Sequence, residues 1–202
     1  MRSPVKLEEL AYHLSSTRPT PNRVMRERIM PFLREHGVRT VLDFGCGKYL
    51  RDARFLTQHG FLVDAVDLEA QIERIEPGLA TLVRSLSTAP ARNHYDAALL
   101  NFVLQVLPTK NQRDAVLTTV GLRVRDNGYL VLSLRNQRDM NDGPELRGIR
   151  FRDGFLMRRG SYYTFVRGYS KDEVEAFFSR SHFSVLRVTT TCYSHIAVGQ
   201  KQ

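Results

Sequence analysis

The sequence predicts an α/β protein: a doubly wound, mostly parallel sheet with helices on both faces and an antiparallel hairpin at its C-terminal edge. Three observations lead there. Short apolar runs rich in β-branched residues alternate with segments of helical period from residue 22 to residue 134, the pattern of successive βα units. Two β-like segments close the chain within 20 residues of each other, near enough to pair. The 202 residues, 42% hydrophobic, suffice for one well-buried core and are too few for two full-sized domains.

Residues 22–36, NRVMRERIMPFLREH, set Val24, Ile29, Phe32 and Leu33 at near-helical spacing, with Pro31 expected to kink or restart the helix. Residues 1–37 are thus read as a helical lead-in or lid, and 38–202 as the main domain. Gly37 can close the helix, and Val38 to Phe44 is the first strand. Leu50 to His59 reads as a helix closed by Gly60, and Phe61 to Asp67 as a second strand ending on an acid. A helical segment near Leu68 to Ile75, a strand near Ala80 to Arg84 and the apolar strand YDAALLNFV from Tyr95 continue the alternation. Asn111 to Val124 is read as a helix, Asp126-Asn127-Gly128 as a turn, and Tyr129 to Leu134 as the next strand. Residues 135–160 are polar, rich in Arg and Gly and without a clean period, so a long basic flap, 135–165, is expected. Ser170 and Glu173 fit a capping box that opens a helix, and Phe183 to Val188 and Tyr193 to Val198 are the closing hairpin.

The formal charge of +9 and pI near 9.9 raise the local concentration of polyanions, which leaves a nucleic-acid partner open beside a merely solvated basic surface. No apolar stretch approaches the roughly twenty residues that span a bilayer, and the start, MRSPVKLEELAYHL, lacks the apolar core of a signal peptide. A soluble cytoplasmic protein without a membrane partner is expected. Cys46 and Cys192 are too few for a disulfide framework or a cysteine zinc site and are read as free thiols. Asp139, Asp142, Glu145 and Asp153 are spaced irregularly, as on a solvated surface, and no metal is assigned.

The sharpest local feature is VLDFGCGKYLRD, residues 41–52, between a predicted strand and a predicted helix. Gly45 and Gly47 let the backbone turn tightly and approach a ligand that a Cβ would hold away. Twenty residues beyond Gly47, Asp67 ends the second strand, where a carboxylate can accept hydrogen bonds from two ribose hydroxyls. A nucleoside ligand follows. A dinucleotide fold would want glycine where Leu50 stands, which disfavours NAD and FAD. Asp43 suits a cationic ligand better than a diphosphate, and S-adenosylmethionine carries a sulfonium and an ammonium.

VLDFGCGKYLRD resembles the first motif of the class I, Rossmann-like S-adenosylmethionine-dependent methyltransferases, and VDAVDLEAQ, residues 63–71, their second. YDAALLNFVLQVLP, residues 95–108, is similar to their fourth-strand motif, and RDNGYLVLSLRN, residues 125–136, to the turn and strand that follow. SYYTFVRGYSKDEVEAFFSRSHFSVLRV, residues 161–188, resembles their late helix and antiparallel strands, so the likeness spans roughly residues 38–198. The resemblance implies methyl transfer from S-adenosylmethionine, leaving S-adenosylhomocysteine. It sets Asp43, Gly45, Cys46 and Gly47 along the methionine and backbone side, Asp67 on the ribose, Leu68 beside the adenine, and Ser85 and Leu86 against the adenine ring. Asn101 and Phe102 would face the sulfonium and the acceptor. The chain departs from the family at Tyr49, where a third glycine is frequent, and at Ser85 and Leu86, where an acid is common.

The acceptor stays open between a small molecule and a nucleic acid. Asn101-Phe102-Val103-Leu104 replaces the Asn/Asp-Pro-Pro-aromatic motif by which the family handles nucleic-acid amino groups. His94, His182 and His195 are scattered and form no convincing base constellation for an oxygen acceptor, so the catalytic group is unknown. Arg147, Arg150, Arg152, Arg158 and Arg159, followed by Tyr162, Tyr163 and Phe165, suit phosphates and stacked bases; Arg158, Arg159, Tyr162 and Tyr163 are the substrate-binding candidates. Arg18, Arg23, Arg26 and Arg28 would extend that surface or cover the site as a lid. The alternative is a non-catalytic S-adenosylmethionine-binding partner or regulatory protein of the same fold.

Overall fold

A computed structural model describes residues 10, 11, 20, 23–75, 78, 79, 83, 84, 89, 93–141 and 147–202. Strands β1 (Thr40–Phe44), β2 (Leu62–Val66), β3 (Val83–Arg84), β4 (Tyr95–Asn101), β5 (Val124–Arg135), β9 (Phe183–Thr190) and β10 (Ser194–Lys201) form one seven-stranded sheet in the order β3-β2-β1-β4-β5-β10-β9. The pairs from β3 to β5 are parallel, and β10 runs antiparallel to both β5 and β9. The expected doubly wound sheet with its antiparallel edge hairpin is present. The register, Phe44 beside Val66 and Asn101 beside Ser133, brings the C-terminal ends of β1, β2, β4 and β5 to one edge of the sheet. In open sheets of this kind that edge carries the ligand.

Helices cover both faces, so the central strands are near-continuous apolar runs. On one face α4 (Lys110–Gly121) and α6 (Lys171–Arg180) bring Leu117, Val120, Val174 and Phe178 onto Leu42, Leu100, Leu132 and Ala197. On the other, a π-helical turn, Met25–Ile29, leads into α1 (Met30–Glu35), and Met25, Ile29 and Leu33 pack on Val41, Leu99, Val131 and Val198. The widening has a cause in Pro31: it has no N–H to give, and in the turn before it the Met30 N–H reaches back five residues to the Met25 carbonyl. Thr109 opens α4 and Ser170 opens α6, each in a capping box with Gln112 and Glu173 respectively. The remaining helices, α2 (Arg51–Gln58), α3 (Glu69–Ile72) and α5 (Arg138–Asn141), are shorter.

The structure corrects two expectations. Asp126-Asn127-Gly128 does not precede β5 but lies inside it. Tyr95 pairs with Val124 and Ala97 with Tyr129, so the turn is an excursion between two stretches bound to the same neighbour. Asn127 takes φ 60° there, and a Cβ on Gly128 would fall 2.8 Å from the Asp96 carbonyl oxygen. Nor are residues 135–165 one unstructured flap. Strands β6 (Ile149–Phe151), β7 (Gly154–Arg159) and β8 (Tyr162–Val166) form a separate antiparallel sheet. Its alternation was hidden because arginines stand among the apolar positions on both faces.

That small sheet rests on the main body through a chain of alternating charge. Arg113 of α4 pairs with Asp153 in the β6–β7 turn, Asp153 also pairs with Arg167 at the exit of β8, and Arg167 pairs with Glu173 of α6. The Arg113 side chain is 4% exposed and also donates to the Leu107 carbonyl at 2.8 Å. Among the described residues no helix is long and apolar enough to cross a membrane.

Candidate functional site

The glycine turn follows β1 directly. Gly45 and Gly47 take φ 80° and 67°, and the Val66 carbonyl at the end of β2 accepts from the Gly45 N–H at 2.7 Å. A Cβ on Gly45 would lie 2.4 Å from Val103 Cγ2, so the turn after β4 needs this glycine to approach. The Gly47 N–H donates to Asp67 Oδ2 at 2.7 Å and the Leu68 N–H to Asp67 Oδ1 at 2.8 Å. Backbone on both oxygens sets the plane of this carboxylate at the edge of the sheet. Cys46 lies buried beneath it, its Sγ 4.0 Å from Asp67 Oδ2, and burial pushes the thiol far above its ordinary range. Leu68 is 48% exposed, with an open apolar face beside the carboxylate.

Two bulky residues at this edge hold left-handed backbone: Leu50 at φ 48°, just before α2, and Phe102 at φ 62°, just after β4. Such conformations cost energy for side chains of this size and collect at functional sites. Leu50 is compensated by complete burial against Cys46, Ala53, Ala65 and Ile75. Phe102 is tied by its N–H to the Ser133 carbonyl at 2.8 Å.

Beneath the turn lie two buried carboxyls. Asp43 of β1 is 2% exposed and Asp52 of α2 is 4% exposed. Asn101 Nδ2 donates to Asp52 Oδ2 at 3.1 Å, and Ser133 Oγ donates to Asn101 Oδ1 at 2.8 Å, a relay from β5 through β4 into α2. Asp43 Oδ2 and Asp52 Oδ1 have no hydrogen-bond partner; Arg51 Nε stands 3.3 Å from the latter, within ion-pair range but outside hydrogen-bond geometry. Burial, then the neighbouring Asp52 carboxyl, holds Asp43 well above the usual carboxylate range, with Arg51 opposing. Burial raises Asp52 as well, against Arg51 and Asn101. Sequence reading had no hold on Asp52. An acid in a helix's first turn ordinarily marks a favourable dipole contact, and only the approach of Asn101 makes it part of the site.

The turn therefore gathers Asp43, Gly45, Cys46, Gly47, Asp67 and Leu68, with Asn101 joined through Asp52, while Ser85 and Leu86 lie outside the described residues. The four substrate candidates do not gather. Arg158 pairs with Tyr163 and Arg159 with Tyr162, so the two pairs face opposite sides of the small sheet. Tyr163 sits with Leu10, Leu156 and Phe165, and Phe155, Met157 and Val166 of the other face pack with Met140. Asp139 pairs with Arg135, and Asp142 and Glu145 lie outside the described residues. His195 is buried with both ring nitrogens hydrogen-bonded, Nδ1 to Thr190 Oγ1 and Nε2 to the Tyr169 carbonyl.

Comparison with known proteins agrees with this geometry. Residues 16–187 match the pattern of a family described as a methyltransferase domain. A 1,6-didemethyltoxoflavin-N1-methyltransferase from Burkholderia thailandensis, solved with 1,6-didemethyltoxoflavin and S-adenosylhomocysteine, is 21% identical, with TM-score 0.63 over 90% of this chain and 80% of that one. A protein from Pyrococcus horikoshii OT3 reaches TM-score 0.69 at 16% identity over 90% and 92% of the two chains. A SAM-dependent methyltransferase from Methanosarcina mazei reaches 0.63 at 19% over 80% and 92%. At these identities the likeness is one of fold. No curated protein sequence matches the chain significantly.

Proposed function

The chain belongs to the methyltransferase-domain family and is an S-adenosylmethionine-dependent methyltransferase; from that premise we propose that the donor binds on the glycine turn and that the acceptor is a small molecule. The observation that carries the reading is the glycine turn that orients Asp67 and joins the strand and helix that carry two buried carboxyls, Asp43 and Asp52, each with an oxygen that accepts no hydrogen bond. Asp43 Oδ2, buried without a hydrogen-bond donor, calls for a cation: the pair leans to the protonated form in the free protein, and the ammonium at the donor's amino-acid end would draw it into the charged form.

Gly45, Cys46 and Gly47 would offer backbone to the donor, Asp67 its carboxylate to the ribose hydroxyls, and Leu68 its exposed face to the adenine, with Ser85 and Leu86 assigned there by resemblance. Asp43 and Asp52 would face the ammonium. When bound, the donor supplies a methyl group made electrophilic by its sulfonium. The chain's own task is then alignment and exclusion of water. Asn101, held between Ser133 and Asp52, transmits the position of β4 to α2, and Phe102 stands at the acceptor side of the same strand end.

Two observations favour a small acceptor. The basic and aromatic candidates split between two faces, which breaks up a continuous nucleic-acid surface. The Burkholderia thailandensis methyltransferase of like fold was solved with a small molecule, 1,6-didemethyltoxoflavin, beside S-adenosylhomocysteine. Free Cys46 and Cys192 suit a reducing compartment, and we read the protein as cytoplasmic. Calorimetric titration with S-adenosylmethionine, S-adenosylhomocysteine, 5′-methylthioadenosine and NADH tests the donor site. The two amino-acid-bearing nucleosides should bind tightly, 5′-methylthioadenosine more weakly because it lacks the ammonium, and NADH not at all. Binding of NADH alone would reassign the site.

A further inference from the structure

A groove of about 530 Å³ opens where β5 ends and α6 begins. We propose that it holds the anionic end of the methyl acceptor, a small molecule bearing a carboxylate or a phosphate; the inference rests on the methyl-transfer reading above. The volume suits a small ligand. The walls carry Arg138 and Lys171 together with the hydroxyl groups of Ser170 and Thr190, and none of the described lining residues is an acid. Arg138 has no ion pair among the described residues, and Lys171 has only Glu175 at 3.5 Å, an exposed pair of little worth against a bound anion.

The floor is fixed. His195 is 3% exposed; the Tyr169 carbonyl can only accept, so His195 Nε2 donates to it at 2.9 Å, and Nδ1 is hydrogen-bonded to the Thr190 hydroxyl at 2.8 Å. Asn136 is buried as well, its Nδ2 on the Thr191 carbonyl and its Oδ1 taking the Arg138 N–H at 3.0 Å, which sets the start of α5. The capping box of α6 occupies the Ser170 and Glu173 N–H groups, and the two cationic side chains of the walls are what favours an anion.

The groove shares the sheet edge of the donor site. His195 pairs with Leu134, and Asn101 pairs with Ser133, one residue earlier on the same strand, so their side chains leave the sheet on opposite faces of one edge. Two strand spacings, about 10 Å, separate their backbones, and a compact acceptor would reach over the strand ends with its anion on the groove side and its nucleophile toward the donor. Tyr169 spans the interval: its carbonyl takes the His195 hydrogen and its hydroxyl donates to the Leu104 carbonyl, in the turn that follows Phe102, at 2.9 Å.

The test compares benzoate and phenyl phosphate with neutral benzamide on S-adenosylhomocysteine-loaded protein, by ligand-observed NMR titration, for the wild type and an R138Q/K171Q double variant. The anions should bind the wild type saturably and benzamide should not. The double variant should lose roughly ten-fold or more in anion affinity while its S-adenosylhomocysteine affinity and melting temperature stay unchanged. Equal binding of benzamide, no anion binding by the wild type, or undiminished anion binding by the double variant overturns the proposal. If the variant fails to fold, the wild-type comparison of benzoate with benzamide still decides. Failure of the donor reading is distinct: the wild type would not take up S-adenosylhomocysteine, and the same anion titration on the free protein then judges the groove alone.

Discussion

Gly45 is pinned twice, by a φ of 80° and by Val103 Cγ2 only 2.4 Å from where a Cβ would stand. Gly45→Ala should cost about 2–4 kcal/mol in urea unfolding, backbone strain and overpacking together, and Val103→Ala in the same chain should recover part of the loss but not the strain. Asp67→Ala should weaken S-adenosylhomocysteine binding by about 1–3 kcal/mol, the worth of hydrogen bonds to a charged group; unchanged affinity in calorimetry would remove Asp67 from the site. Asp52 gives the opposite balance of stability and binding. Its carboxyl and that of Asp43 are held above their ordinary range, so the folded chain prefers them protonated. Their burial is harmless below pH about 4 and costs stability as pH rises through the raised values. Asp52→Asn should therefore melt higher than the wild type at neutral pH, with the difference shrinking at pH 4, and yet bind S-adenosylhomocysteine more weakly. A lower melting point at neutral pH would mean that the buried acid stabilises the free protein.

Elements were legible where local chemistry dominates. The capping box of Ser170 and Glu173, the closure of α2 at Gly60 and the disturbance at Pro31 all follow from neighbours within a few positions. Ser170→Ala should cost about 1 kcal/mol in unfolding free energy. The small sheet was not legible, because its strands pair only across the turns at Arg152 and Gly160 and its arginines break the apolar alternation. Its anchorage was equally hidden: Arg113 reads as a surface residue of an amphipathic helix, yet it is buried between the Leu107 carbonyl and Asp153. Arg113→Met should cost about 2 kcal/mol, less than a fully buried pair because Asp153 is 41% exposed. Limited proteolysis checks the consequence, with cleavage in the β6–β7 turn expected to accelerate more than cleavage elsewhere.

At the scale of the whole molecule, a charge of +9 is a long-range field and not a binding site. Arg113 and Arg167 are tied into the network under the small sheet, and Arg158 and Arg159 point to opposite faces. A single-stranded RNA oligomer should thus bind weakly and through counterion release, with affinity falling steeply from 50 to 150 mM salt and little altered by R158Q/R159Q. RNA binding that resists salt would argue against a small acceptor.

From the sequence by itself came the order of the strands of the main sheet and the helices between them, the glycine turn, the spacing from Gly47 to Asp67 and the family resemblance, because period, turn chemistry and a strand-to-helix transition are written within short windows. Tertiary structure alone decided that Asp52 joins Asp43, that Asn101 links Ser133 to α2, that four substrate candidates divide between two faces, and that Arg138, Lys171 and His195 share one groove. Each of these depends on register and on which strands become neighbours. Those are set by nonlocal packing of the core, and no window along the chain contains them.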